Sequence, residues 1–230
     1  LRHHFNLILI GPQGSGKGTQ ADILKHRYHM HAIAGGDIAR SLAKQSSTLG
    51  ETVRTLMNEG KLLPDRIVNQ GAEQVLHKHP SQNYLFDGYP RTLEQAAFVE
   101  PLLRNLPHPF FVILLDLDDK TSVERIKHRF TCERCGSVIY SRTTDHTTIL
   151  HKLRALSRRC HHCGGHLVQR SDDTEDAVRE RLKLYHKETK PVIEFFKDKH
   201  ALYTVDARPP IPKVTDLIEE TIEKATRERT

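Results

Sequence analysis

Residues Phe5–Thr19 read FNLILIGPQGSGKGT, and the rest of the chain can be read outward from this stretch. Phe5–Ile10 is an unbroken apolar run that stops at Gly11. Gly14, Gly16 and Gly18 follow, and then Ala21, Leu24 and Tyr28 recur with helical spacing. The order strand, glycine loop, helix is that of a phosphate cradle. Glycines let successive backbone N–H groups curl toward one point, and the positive end of the following helix faces the same point. Lys17 adds a mobile cation able to follow β- and γ-phosphate oxygens, and Thr19 a hydroxyl suited to magnesium or phosphate. Within the G-x-x-x-x-G-K pattern, Gly18 stands where Ser or Thr is usual. A plain glycine-rich turn after a buried strand is the competing reading; a strand before the loop and a helix after it favour phosphate.

A length of 230 residues suits one principal domain with small insertions. The net charge of +6 comes from basic residues spread along the chain, which fits phosphorylated small molecules as partners. No nucleic-acid recognition motif accompanies that charge, so nucleic acid is not expected. No apolar run approaches the roughly 20 residues of a membrane span, and the N-terminus lacks a signal-peptide pattern. A soluble, cytoplasmic protein is therefore expected, without a membrane partner and as a monomer. Cys132, Cys135, Cys160 and Cys163 form two C-x-x-C pairs, which in such a chain point to a metal rather than to disulfides.

Further strands are expected at His31–Ala34, Tyr84–Phe86, Phe110–Leu115 and Leu202–Val205, with helices between them. The alternation implies an α/β fold with a doubly wound parallel sheet. Between His31 and Pro64 lies a small helical block containing Arg40, Val53 and Leu56, too poor in apolar residues for its own core. It reads as an insertion packed on the main domain and able to move. A helix with Leu93, Ala96, Ala97 and Val99 as apolar residues follows the third strand, and Asp118-Asp119 starts another. From Phe130 to Val168 the periodicity is lost, which suggests an inserted lobe. Asp172 with Glu175 resembles a helix cap, and Pro191 is expected to kink the helix that follows.

Asp87 falls at the carboxyl end of a strand expected beside the glycine loop, where a carboxylate can hold magnesium through water. An ordinary Asp-Gly turn is the bland alternative. Arg40, Arg91, Arg125, Arg129, Arg170 and Arg181 all fall near the expected ligand edge, and guanidinium suits bidentate phosphate contacts.

Six segments in order, GPQGSGKGTQ, GGDIAR, EGKLLPD, LFDGYPRTLEQ, VERIKHR and LVQRSDDTEDAVRERL, resemble the adenylate kinases, specifically the long-lid type with a four-cysteine site. The resemblance implies a P-loop core at 1–33, 64–129 and 170–230, a helical NMP-binding insertion at 34–63 and a zinc-containing lid at 130–169. It implies the reaction MgATP + AMP ⇌ MgADP + ADP, with ATP, AMP and ADP as partners and Mg²⁺ and a structural Zn²⁺ as cofactors. By position, Gly14, Ser15, Gly16, Lys17, Gly18 and Thr19 would bind ATP, with Arg125 against its adenine and Arg129 on its phosphates. Gly35, Arg40, Leu63, Gly88, Arg91, Gln95, Arg170 and Arg181 would form the AMP side. Lys17, Arg91, Arg129, Arg170 and Arg181 would be catalytic, Asp87 would face magnesium through water, and Asp172 with Asp173 would help close the lid. Three departures stand out: Gln13 where the family has Pro, Gly35 where it has Thr, and a wider separation of the cysteine pairs, which implies an extra lid loop.

Overall fold

The computed structural model describes residues 4–58, 63–78, 82–140, 158–170 and 173–228. Its central sheet holds five parallel strands: β1 (Asn6–Ile10), β2 (His31–Ala34), β3 (Tyr84–Asp87), β4 (Phe110–Asp116) and β8 (Leu202–Asp206), in the order β2-β3-β1-β4-β8. This is the doubly wound α/β fold read from the sequence. All five residues of β1 are buried, because helices cover both faces of the sheet. Successive side chains alternate between two cores. Ile8 and Ile10 pack with Phe86, Val112, Val99 and Phe196 on one face. Leu7 and Leu9 pack with Leu85, Ile113, Leu24 and Ile218 on the other. Asn6 is the buried polar exception: its Nδ2 donates to His108 O (3.1 Å) and its Oδ1 accepts from Tyr84 N (2.9 Å), which fixes how β1 enters between its neighbours.

The helices around the sheet are α1 (Lys17–Arg27), α2 (Gly35–Ala43), α3 (Thr48–Asn58), α4 (Asp65–Lys78), α5 (Leu93–Arg104), α6 (Asp119–Lys127), α7 (Glu175–Leu184), α8 (Lys190–Asp198) and α9 (Ile211–Arg227). Helices α2 and α3 make up the inserted block. Their Ala39 and Val53 join Val68, Ala72 and Phe86 in one cluster, so the block borrows the main core, as its thin apolar content implied.

Two local readings are corrected, the cap and the kink of the long helix, and two are filled in. On α5, Ala96, Val99 and Leu103 are buried while Leu93 and Ala97 face solvent, because the buried stripe is offset from the apolar positions in sequence. The cap of α7 is Thr174, whose hydroxyl accepts from Ala177 N (3.3 Å). Helical geometry begins at Glu175, so the residue directly before it caps; Asp172 lies outside the described residues. Before Pro191 the chain makes a π-helical turn, Tyr185–Thr189, with Lys190 N donating to Tyr185 O. That turn takes up the irregularity, and Pro191 then sits in the first turn of α8, where its missing N–H breaks no helical bond. The lobe after Phe130 holds an antiparallel sheet of β5 (Arg129–Cys132), β6 (Val138–Tyr140) and β7 (Leu167–Val168), strands too short to show a period in the sequence. The expected extra lid loop falls mainly on residues outside those described.

Because Val53 is fully buried in the shared core, Val53→Ala should cost about 2 kcal/mol. Calorimetry should then show one unfolding transition lowered by about 4–8 °C. A main transition left at the parental temperature would contradict shared packing.

Candidate active site

The glycine loop leaves β1 at the carboxyl edge of the sheet. Gly14 adopts φ +78°, and a Cβ there would meet Ser122 O at 3.1 Å, so loop and α6 approach closely only because the side chain is absent. Ser122 Oγ donates to Gln13 O (2.5 Å) and Arg125 Nη1 to Gly14 O (3.1 Å). Gln13 Nε2 donates to Val178 O (2.7 Å). Where the resembling family has Pro, this chain thus ties its loop to α7. Lys17 begins α1 and folds back, its Nζ donating to the carbonyls of Gly11 and Pro12, the latter at 2.8 Å. Burial lowers its pKa from the ordinary 10.5 to about 8, against the pull of the nearby Asp87 carboxylate.

Strand β3 pairs with β1 so that Leu9 lies opposite Asp87. A Cβ on Gly18 would lie 3.7 Å from Asp87 Oδ2, so the carboxylate stands beside the loop as expected. At the next residue, Gly88 (φ +64°) turns the chain and its carbonyl accepts from Arg91 Nε (2.6 Å). Gly35 lies against the same turn: a Cβ there would be 3.1 Å from Gly88 O. Lys17, Arg91 and Arg181 line one cleft together with Gly11, Gln13 and Gly88. Arg181 Nη2 is 3.8 Å from Asp173 Oδ1, and Arg129 binds the same buried carboxylate through Nε (Oδ2, 2.9 Å) and Nη2.

The other sequence-chosen residues sit around this centre rather than in it. Arg125 also donates to Arg208 O (2.8 Å), and Arg170 Nε donates to Thr131 Oγ1 (3.2 Å) on the lid side. Leu63 packs in the main core. Arg40 is in α2, but its side chain lies outside what the structure describes. Gln95 is buried behind Arg91, with Oε1 accepting from Arg91 N (2.8 Å) and Nε2 donating to Asp65 Oδ1 (2.7 Å). Asp65 and its second partner Thr92 were missed by sequence reasoning. An acidic residue just after Pro64 is an ordinary helix start, and nothing in its spacing says that it reaches Gln95.

In the lid the four cysteine Sγ atoms lie within 4.8 Å of one another, with Cys132–Cys163 at 3.5 Å and Cys135–Cys160 at 3.6 Å. Each C-x-x-C closes a turn, Gly136 N donating to Cys132 O (2.9 Å) and Gly164 N to Cys160 O (2.8 Å). A Cβ on Gly165 would come within 2.8 Å of Cys132 Sγ, so the glycine keeps the space between the sulfurs open. The Ser137 hydroxyl, 3.2 Å from Cys135 Sγ, lowers that thiol's pKa to about 6. Arg134 and Arg159 donate to the carbonyls of Cys163 and Gly164, both at 3.2 Å, which brings positive charge to the cluster. Neither His161 nor His162 belongs to it.

A family model described as adenylate kinase matches residues 9–201. The chain is 35% identical over 215 residues to an adenylate kinase of Fervidobacterium nodosum, covering 93% of this chain and 95% of that protein. It is 34% identical over 221 residues to one of Archaeoglobus fulgidus (95% and 98%) and 36% identical over 203 residues to one of Clostridium tetani (87% and 90%).

The lowered pKa of Lys17 predicts a pH dependence. Between about 8 and 10.5 the unfolded chain holds a proton that the folded chain has released. Its contribution to stability therefore rises with pH across that window. Compared with Lys17→Met, the ligand-free parent should gain in melting temperature as pH rises from about 8 to 10.5. A constant difference between the two would contradict the assigned burial.

Proposed function

The chain belongs to the adenylate kinase family, and from that premise we propose how its cleft works. The reaction is reversible transfer of a phosphoryl group from MgATP to AMP, giving two ADP. The observation that supports the residue roles best is the convergence of Lys17, Arg91 and Arg181 on one cleft below the glycine loop.

The acceptor phosphate, with a second pKa of about 6, is largely ionised at neutral pH, so no general base is needed. The chemistry instead needs two polyanions aligned and the charge of the transferring group stabilised. In this reading the Gly14–Thr19 backbone and Lys17 hold the ATP phosphates, with Arg125 beside the adenine. Arg129 and Arg170 close on phosphate from the lid side. Arg40 and Arg91 hold the AMP phosphate, Gly35, Leu63, Gly88 and Gln95 face the rest of AMP, and Arg181 bridges the two phosphate groups. Magnesium bound with ATP neutralises charge on its phosphates, and Asp87, beside the loop, is the carboxylate that would hold it through water. The insertion at 34–63 and the lid at 130–169 would close over the core at 1–33, 64–129 and 170–230. Closure keeps water from the γ-phosphoryl. Asp173, already bound to Arg129 and Arg181, joins the lid base to the catalytic arginines; its partner in the sequence reading, Asp172, lies outside the described residues.

The donor set of Cys132, Cys135, Cys160 and Cys163 fits a structural zinc. Four sulfurs each about 2.3 Å from one ion stand about 3.8 Å apart, close to the 3.5 and 3.6 Å found here. Four thiolates leave no open position for water, so the metal would hold the lid together and take no part in transfer. Reduced thiols also suit a reducing compartment, and a cytoplasmic, monomeric enzyme completes this reading. Among the described residues no helix is long and apolar enough to cross a membrane.

A coupled assay of ADP formation with AMP, CMP, UMP and GMP tests the function; AMP should be strongly preferred. In the same assay Lys17→Met should lose about a thousandfold in turnover while remaining folded. A folded variant within threefold of the parent would contradict the role.

Metal analysis of protein purified without chelator should find one zinc per chain. Its removal should lower the melting temperature and raise ATP hydrolysis in the absence of AMP, while the core still binds nucleotide. Zinc-free protein that is fully active and equally heat-stable would rule the site out.

A further inference from the structure

We propose that Asp65 sets the base selectivity of the monophosphate site by fixing which way round the Gln95 carboxamide points. This rests on the reading of Gln95 as the group that faces the base. Asp65 opens α4, and its two carboxylate oxygens reach across to the start of α5. Oδ1 accepts from Gln95 Nε2 (2.7 Å) and Oδ2 from Thr92 Oγ1 (2.8 Å). Thr92 is the N-cap of α5, and its hydroxyl in turn accepts from Gln95 N (3.2 Å). On the other side Arg91 N donates to Gln95 Oε1 (2.8 Å).

These contacts allow one orientation. A carboxylate only accepts, so the amide atom facing Asp65 must be the NH₂; a backbone N–H only donates, so the atom facing Arg91 N must be the oxygen. Flipping the amide would set oxygen against oxygen and N–H against N–H, at a side chain only 3% exposed, where water cannot relieve the mismatch. Once Asp65 and Arg91 N are served, the amide keeps one N–H and one oxygen lone pair. That remaining donor and acceptor pair has a fixed order. Adenine offers an acceptor at N1 and a donor at its 6-amino group, which match Nε2–H and Oε1. Hypoxanthine and guanine offer a donor at N1 and an acceptor at O6, which match the flipped amide. A carboxylate that need not touch the nucleotide thereby decides between the two, and buried polar groups left unmatched are the strongest source of discrimination.

AMP and IMP are the decisive probes, since they differ in the polarity of this edge. In Asp65→Asn the new side chain can accept or donate, and only Arg91 N still orients Gln95. The ratio of kcat/KM for AMP over IMP should fall at least tenfold, with the KM for ATP within twofold of the parent. Asp65→Ser should behave alike and serves if Asn fails to fold, whereas Asp65→Glu, which keeps a carboxylate, should retain most of the ratio. In a Gln95→Leu background Asp65→Asn should change the ratio no further. If Gln95→Leu alone leaves the ratio within threefold of the parent, the base-facing role of Gln95 fails and this proposal fails with it. If Gln95→Leu collapses the ratio while Asp65→Asn and Asp65→Ser keep it within threefold, Asp65 has no such role and the Gln95 reading stands.

Discussion

Everything in the cleft depends on the register of β1 between β3 and β4. Leu9 lies opposite Asp87 in one neighbour and Ile10 opposite Leu114 in the other, so the chain leaves the sheet at nearly the same level on adjoining strands. At that edge the glycine loop, the Asp87-Gly88 turn and α6 meet without any long connection. A parallel sheet buried on both faces holds this register firmly, because a slip by one residue would exchange the two cores. The cost of the arrangement is electrostatic. Lys17 lies near Arg91 and Arg129 with Asp87 as its compensating charge, and its lowered pKa records that crowding together with burial. In the proposed reading two bound phosphates would answer the excess charge, which favours polyanions before any single contact is considered.

The lid meets a different constraint. Its apolar cluster consists of Cys132, Cys160 and Leu167, with Phe130, Ile139 and Cys163 packed against it. Among the described residues this small cluster is the core that the three strands share, the shortest strand having two residues. A metal held by the sulfur cluster would supply a cross-link between the turn after β5 and the turn before β7. Binding of a metal by preformed thiolates can contribute folding free energy of about 10 kcal/mol in small modules. In the proposed reading a lid held by its own metal would move as one piece.

How far this was legible in the sequence varies with the kind of signal. The central strands β1 and β4 stood out because strands buried on both faces are apolar nearly throughout, and the phosphate loop because its glycines and Lys17 have a fixed spacing. The cysteine cluster was legible for the same reason. Contacts between distant segments were not. Gln13 appeared only as a departure from the family pattern, and its bond to Val178 spans two elements that no local pattern connects. Asp65 looked like a helix start, which it is, while its link to Gln95 depends on how α4 packs on α5. The π-helical turn before Pro191 shows the same limit. Proline announced an irregularity, but the backbone placed it one turn earlier, where an extra residue could be absorbed.

Lys17, Arg91 and Arg125 are already engaged in the free protein, and this bears on how substrates bind. Lys17 holds the carbonyls of Gly11 and Pro12, Arg91 that of Gly88, and Arg125 those of Gly14 and Arg208. In the proposed reading phosphate binding would exchange one oxygen partner for another at Lys17 and Arg91. The exchange at Lys17 and Arg91 would, in that reading, replace a neutral carbonyl by an anion, and charge-assisted bonds are about twice as strong. For Arg129 the present partner is the carboxylate of Asp173, so a phosphate offers a smaller gain. Arg129 opens β5, which leads into the lid lobe, and Asp173 stands just before α7, so the bond ties together the two chain segments that flank the lobe. In the proposed reading Lys17 and Arg91 would therefore gain most from phosphate, while Arg129 would exchange one anion for another. Such an exchange would let the lid side engage phosphate and release it within each catalytic cycle.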